Sequence, residues 1–208
     1  MRSINQVPGV GTLILFCLAF TFACSSIPVL KVNYHLPPPS DELKGMKASL
    51  EVLDARSPRV FLGKGTEKEF ENFPGDISFS VARHNEPGFK IGLFSPVSMV
   101  REGIKRRMKN EGLDLLTERS PDSPEVQIVI REFSIELVDR KWLVKMDYEA
   151  RLEGIGKAVS AQAVSGQAER FKLVGIGEAG IAIEEIFSDM INRLDLMMLF
   201  KGAGLVGP

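Results

Sequence analysis

From Val144 to Leu152 the chain alternates without a break: Val144, Met146, Tyr148, Ala150 and Leu152 against Lys145, Asp147, Glu149 and Arg151. Successive side chains of a strand point to opposite faces, so this pattern predicts an antiparallel strand with one buried face and one wet face. Upstream, Val126, Ile128 and Ile130 hold one phase, and Phe133, Ile135 and Leu137 hold the opposite one. One extra residue reconciles two phases, so a bulge is expected near Arg131-Glu132. Ala161 and Ala163, then Phe171 and Leu173, mark a third, less regular strand.

Two helices complete the pattern. Ser95-Pro96 reads as an N-cap followed by proline at the first helical position. Val97, Val100, Ile104 and Met108 then keep one apolar face, and Gly112 closes the helix. A second helix is expected from about Gly180 to Phe200, with Ile183, Ile186, Phe187, Met190, Ile191, Leu194 and Met198 as its apolar stripe. Before the first helix, Leu50 and Val52 mark a strand that Gly63-Lys64-Gly65 interrupts. Phe79 and Val81, then Phe89, Ile91 and Leu93, flank Glu86-Pro87-Gly88 as a hairpin. The order predicts an α+β fold, a two-layer sandwich in which two helices pack on one face of a mainly antiparallel sheet. A single domain over residues 48–200 is expected, followed by a flexible tail at 201–208.

The chemistry available to this domain is narrow. With 26 basic and 27 acidic residues the formal net charge is −1, so no global positive field draws in nucleic acid. Two histidines and two cysteines leave little from which to build a metal site. His35 and His84 each stand without a second His or a Cys at ligand spacing, and no Ser-His-acid set presents itself. Gly175-Ile176-Gly177-Glu178-Ala179-Gly180 spells G-x-G-x-x-G, but a dinucleotide fold needs a parallel strand with an acid after the helix. The motif reads instead as a strand-to-helix turn. Lys105, Arg106, Arg107 and Lys109 read as a solvated helix end, and the lone Trp142 as a packing anchor. Met197, Met198, Leu199 and Phe200 read as core, and any part of them left exposed as a partner or lipid contact. No catalytic residue, cofactor, metal or nucleotide is expected, and the chain is read as not an enzyme.

The amino terminus carries an address. After Arg2, an apolar run from Thr12 to Ala23 spans ~18 Å as a helix, short of the ~30 Å hydrocarbon core. It therefore reads as a signal peptide over residues 1–23. It ends in Thr21-Phe22-Ala23-Cys24, which resembles the lipobox of bacterial lipoproteins, with Phe22 bulkier and Thr21 other than the usual residues. That resemblance implies lipid attachment at Cys24 and cleavage before it. Cys17 leaves with the signal, so lipidation also removes the last thiol from an oxidising compartment. Ser25 suggests transit to the outer membrane. Residues 24–47 are expected to form a lipidated tether with a short strand at Val32, Tyr34 and Leu36, stiffened by Pro37-Pro38-Pro39.

Leu50-Glu51-Val52-Leu53-Asp54-Ala55-Arg56, followed by Leu62-Gly63, resembles the opening of the YajG-type lipoproteins, and Asn110-Glu111-Gly112-Leu113 resembles a second signature of that family. The resemblance implies a small lipoprotein, anchored in the outer membrane and facing the periplasm, with no catalytic residues to carry over. Asp54 and Arg56 themselves read as a structural pair. The expected function is thus a non-enzymatic envelope lipoprotein that binds or scaffolds an envelope protein or lipid partner. The alternative is an accessory lipoprotein of lipid or lipopolysaccharide transport and assembly, motivated by the basic helix end and the apolar carboxyl end.

Overall fold

The computed structural model describes residues 29–120, 123–153 and 159–207. Cys24 and the signal segment 1–23 lie outside the described residues. The strands are β1 (Leu30–His35), β2 (Lys47–Asp54), β3 (Ile77–Ala82), β4 (Phe89–Phe94), β5 (Asp114–Leu115), β6 (Glu125–Val138), β7 (Lys141–Glu153) and β8 (Val159–Phe171). The helices are α1 (Pro96–Asn110), α2 (Gly177–Asn192) and α3 (Leu196–Gly202). None of them is long and apolar enough to cross a membrane.

The fold is α+β, as the order of elements predicts. The strands divide into two sheets, however: one of three strands in the order β1-β3-β4, and one of five in the order β5-β2-β6-β7-β8. The long ladders β6-β7-β8 and the β3-β4 hairpin are antiparallel. Three shorter pairings, β1-β3, β2-β5 and β2-β6, are parallel. The expected bulge is present: the β6-β7 register shifts between Ile130 and Glu132, and the buried set passes from Val126, Ile128 and Ile130 to Phe133 and Ile135. β7 buries each of its predicted apolar residues, and Trp142 lies fully buried edge-on to Phe70, with ring centroids 5.7 Å apart.

α1 begins as its sequence dictates. The Ser95 hydroxyl accepts the Ser98 N–H at 3.3 Å, with Pro96 at the first turn. Gly112 adopts φ +84° after the last turn and donates its N–H to the Lys109 carbonyl, the left-handed exit open to glycine.

The expected tether is corrected from Val29 onward. Residues 30–35 are a strand inside the fold, paired in parallel with β3, and Leu30, Val32 and Tyr34 are buried. β1 is an edge of its sheet, and α2 lies along that edge. The N–H of Asn33 donates to Glu184 Oε2 at 3.0 Å, and the N–H of His35 donates to Ser188 Oγ at 3.2 Å. Asn192 Nδ2 donates to the His35 carbonyl at 2.9 Å, and the Tyr34 hydroxyl donates to Asn192 Oδ1 at 2.8 Å. Gly180 fits here because its backbone lies against the Lys31 carbonyl; a Cβ would come within 2.8 Å of that oxygen. Of the G-x-G-x-x-G run, Gly180 serves this packing, and Gly175, at φ +68°, serves the turn into α2.

Two further expectations are revised at the carboxyl end. The single helix expected over 180–200 is two helices, because Asp195 accepts the Met198 N–H at 2.8 Å and caps α3. The tail expected to be flexible continues the fold: Ala203 is buried, and Leu205 and Val206 pack against the core.

One aromatic group joins the layers. Phe187 of α2 meets Tyr34 of β1 at 5.6 Å and Phe79 of β3 at 5.5 Å, both edge-on, and Phe133 of β6 at 6.4 Å. On its remaining side lies Gly103 of α1, where a Cβ would come within 2.6 Å of the Phe187 ring. Removing a buried aromatic side chain costs about 3–5 kcal/mol, and forcing extra carbon into a filled core about 1–3 kcal/mol. Phe187→Ala is therefore expected to lose about 3–5 kcal/mol and Gly103→Ala about 1–3 kcal/mol in denaturant unfolding. The Gly103→Ala penalty should shrink in a Phe187→Leu background, because contacting residues are not additive. Equal penalties in both backgrounds would contradict this contact.

Candidate binding groove beside β6

β2 leaves β6 at the bulge, since the pairing of the two strands ends at Asp54 and Ile130. The outer half of β6 would then carry an open edge. The loop after β2 occupies part of it: Ile135 donates its N–H to the Phe61 carbonyl at 2.8 Å, and Gly63 donates to the Ile135 carbonyl at 2.8 Å. Gly63 and Gly65 allow this approach, because any Cβ there would collide with Glu136 and with the Leu137 carbonyl respectively. Phe61 stacks edge-on with Phe133 at 5.1 Å and anchors the loop. Thr66, buried, donates its hydroxyl to the Gly63 carbonyl and fixes the 3-10 turn at Lys64–Thr66.

Between this loop and β6 runs an open groove of about 800 Å³. Its apolar lining is Pro58, Val60, Leu62, Phe133, Leu137 and Val138. Its charged lining is evenly divided between Arg56, Lys64 and Arg131 and Glu67, Glu132 and Glu136. A volume of this size suits a small ligand or a short segment of a partner chain. Ser57 and Ser134 are its hydroxyls, and Ser134 donates to Glu132 Oε1 at 3.1 Å. His35 and His84 lie elsewhere: His35 pairs with Glu184 at 3.0 Å on the β1 edge, and His84 is at the β3-β4 turn. Among the described residues no group of three or more His, Cys, Asp and Glu is placed to hold a metal.

Arg56 fixes the inner end of the groove. It is buried, and its guanidinium donates to Asp54 through Nε at 2.8 Å and Nη2 at 3.0 Å, and to the Phe133 carbonyl through Nη1 at 3.0 Å. These hydrogen bonds hold the Asp54 carboxyl below its ordinary range; partial burial opposes them but does not prevail. The pair read from the sequence as structural thus ties the end of β2 across to β6 beyond the bulge.

A smaller hollow of about 500 Å³ lies at the far end of α1, among Leu36, Arg83, His84, Glu86, Arg106, Lys109 and Asn110. The basic cluster of the sequence is divided here. Arg106 pairs with Glu102 at 2.8 Å and lies over the Phe89 ring, while Arg107 turns inward to Glu111. Burial raises the Glu111 pKa, and the Arg107 charge opposes that rise. Of the apolar carboxyl end, Leu199 and Phe200 are buried, and Met198 is exposed.

No family model matches the chain, and no curated protein matches it. Among solved structures, the fold is similar to that of a Xanthomonas campestris protein described by the DUF330 family model, with a TM-score of 0.54 at 13% identity over 85% of this chain and 96% of that one. Rare lipoprotein B of Shewanella oneidensis aligns at a TM-score of 0.36 and 8% identity, over 70% of this chain and 89% of that one. A minor lipoprotein of Acinetobacter baumannii aligns at 0.38 and 10%, over 76% and 93%. At those scores the two lipoproteins carry no argument about this chain, and the first likeness is one of fold alone. The YajG-type resemblance stays a reading of the sequence.

The Asp54–Arg56 pair makes a signed prediction. A carboxyl whose folded pKa is depressed contributes stability above its unfolded value, about 3.9, and loses it as pH falls through the folded value. Asp54→Asn is expected to lower stability by roughly 1.5–3 kcal/mol at neutral pH, the range for hydrogen bonds to charged groups. The gap from the native protein should close as the medium is taken below about pH 4, where the unfolded carboxyl protonates. Urea titrations across pH check this, and a constant gap would contradict the assigned cause.

Proposed function

We propose that this chain is a non-enzymatic lipoprotein of the bacterial cell envelope, anchored to the outer membrane through Cys24 and facing the periplasm. Its domain binds or scaffolds an envelope partner in the groove beside β6. The observation that carries the reading is Cys24 itself, placed after Ala23 at the end of an apolar run too short to span a bilayer. Two or more acyl chains on one cysteine give a lasting anchor without a transmembrane helix.

What supports binding over catalysis is the composition of the groove. Apolar walls offer contact area, and balanced charges offer orientation, whereas its two serines have no imidazole beside them. A rigid frame also suits a receptor surface. The groove's inner end is held by the buried Arg56, and its loop by Phe61 and Thr66.

Mass spectrometry of the mature terminus, after expression in a Gram-negative host, tests the anchor. The expected product begins at Cys24 and carries a diacylglyceryl group and an amide-linked acyl chain. Cys24→Ala is expected to move the protein from the membrane to the soluble fraction. An unmodified Cys24, or residues 1–23 retained, would overturn the reading.

A further inference from the structure

Several exposed apolar side chains gather at one pole of the fold. Phe171, Leu173 and Val174, between β8 and α2, are 66%, 74% and 87% exposed. Gly175, at φ +68°, turns the chain there into α2, where Ile181 is also exposed. β1 starts at the same pole, because α2 and β1 run side by side in the same direction: Gly180 lies against Lys31, Glu184 binds Asn33, and Ser188 binds His35. Val29, exposed, thus sits at the level of the first turn of α2. Leu93, exposed, pairs with Ser78, which pairs with Lys31, and so lies on the same row. The β6-β7 turn belongs here too, since Lys141 pairs with Phe171.

Charge at this pole is mixed. Lys141 lies 5.1 Å from the centre of the Phe171 ring, and Lys172 pairs with Glu69. Lys31 and Arg140 are exposed, as are Asp76 and Asp139. Exposed apolar side chains, rather than net charge, distinguish the surface. Exposed apolar side chains gathered at one pole are the composition of a surface that meets a partner or a membrane.

The chain length between Cys24 and Val29 decides the occupant. Five residues reach at most about 17–18 Å fully extended. The polar layer on each side of the hydrocarbon core is itself roughly 5–8 Å thick. A lipid on Cys24 therefore holds the pole bearing Val29 against the bilayer. The opposite pole, with His84, Glu86 and Lys109, faces away. We propose that the Phe171–Val174 loop, with Val29, Leu93 and Ile181, is a membrane-docking surface that inserts into the lipid interface. This inference rests on the lipid anchorage at Cys24. It replaces a domain swinging on a long tether with one seated on the membrane in a fixed orientation, its groove opening beside Val138 near the lipid surface.

The test uses the full-length lipidated protein in vesicles of phosphatidylethanolamine and phosphatidylglycerol. An environment-sensitive fluorophore is placed on Val174→Cys or, at the opposite pole, on Glu86→Cys. Both native side chains are exposed, so neither label enters the core. Bromine-bearing acyl chains are expected to quench the label at position 174 several-fold more strongly than the label at 86. Equal quenching at both positions, with the protein still floating with the vesicles, would overturn the docking and leave the anchor intact. Shielding at 174 that grows with protein density and shows no lipid quenching would assign the patch to a second copy and also overturn it. A native chain that takes the thiol label at Cys24 and does not float would sink the anchor, and the docking with it.

Discussion

The open edge of β1 governs the architecture. A strand edge exposes unpaired N–H and C=O groups, and a protein must pair or cover them. Here α2 covers that edge with Glu184, Ser188 and Asn192 while burying Phe187 between the two sheets. One helix thus both satisfies the first strand and holds the layers together. The fit is close on two sides, with Gly180 against the backbone of β1 and Gly103 against the Phe187 ring.

Consequences follow for both ends of the molecule. Because β1 is locked into the core, the ordered domain begins by Leu30 rather than near residue 48, and Cys24 lies close to it in sequence. Because β2 and β6 part at the bulge, the outer half of β6 is left for the loop carrying Gly63 and Gly65, and the groove forms beneath it. The bulge that reconciles two hydrophobic phases in β6 is therefore also what makes room for the groove.

Much of this was legible in the residues, and the reasons for the rest are physical. α1 has local signals at both ends, in Ser95-Pro96 and Gly112, and β7 alternates cleanly; such features depend only on neighbours in sequence. β1 was visible as a strand, but its parallel pairing with β3 is a contact between distant segments that no local pattern encodes. Glu184 and Ser188 sit on the polar side of their helix, and side chains that cover a strand edge have the composition of a wet face. The break at Asp195 is hidden in the sequence because the apolar stripe continues in phase across it, through Leu194 and Met198. In the groove, Asp54 and Arg56 are legible as a pair, but the loop's position depends on close approaches at Gly63 and Gly65, which in sequence signal only a break. Phe171 and Leu173 share strand alternation with residues before them, which concealed that the ladder ends at Phe171.

If α2 truly secures β1, the backbone amides of Asn33 and His35 are shielded by side chains from a helix some 150 positions away. Hydrogen exchange resolved by residue measures this directly. Protection at Asn33 and His35 comparable to that of β3, lost selectively in Glu184→Ala and Ser188→Ala, is the predicted result. Rapid exchange throughout 30–35 in the native protein, with β3 still protected, would show that the first strand is only a loose leader, and the account of a closely moored domain would fail.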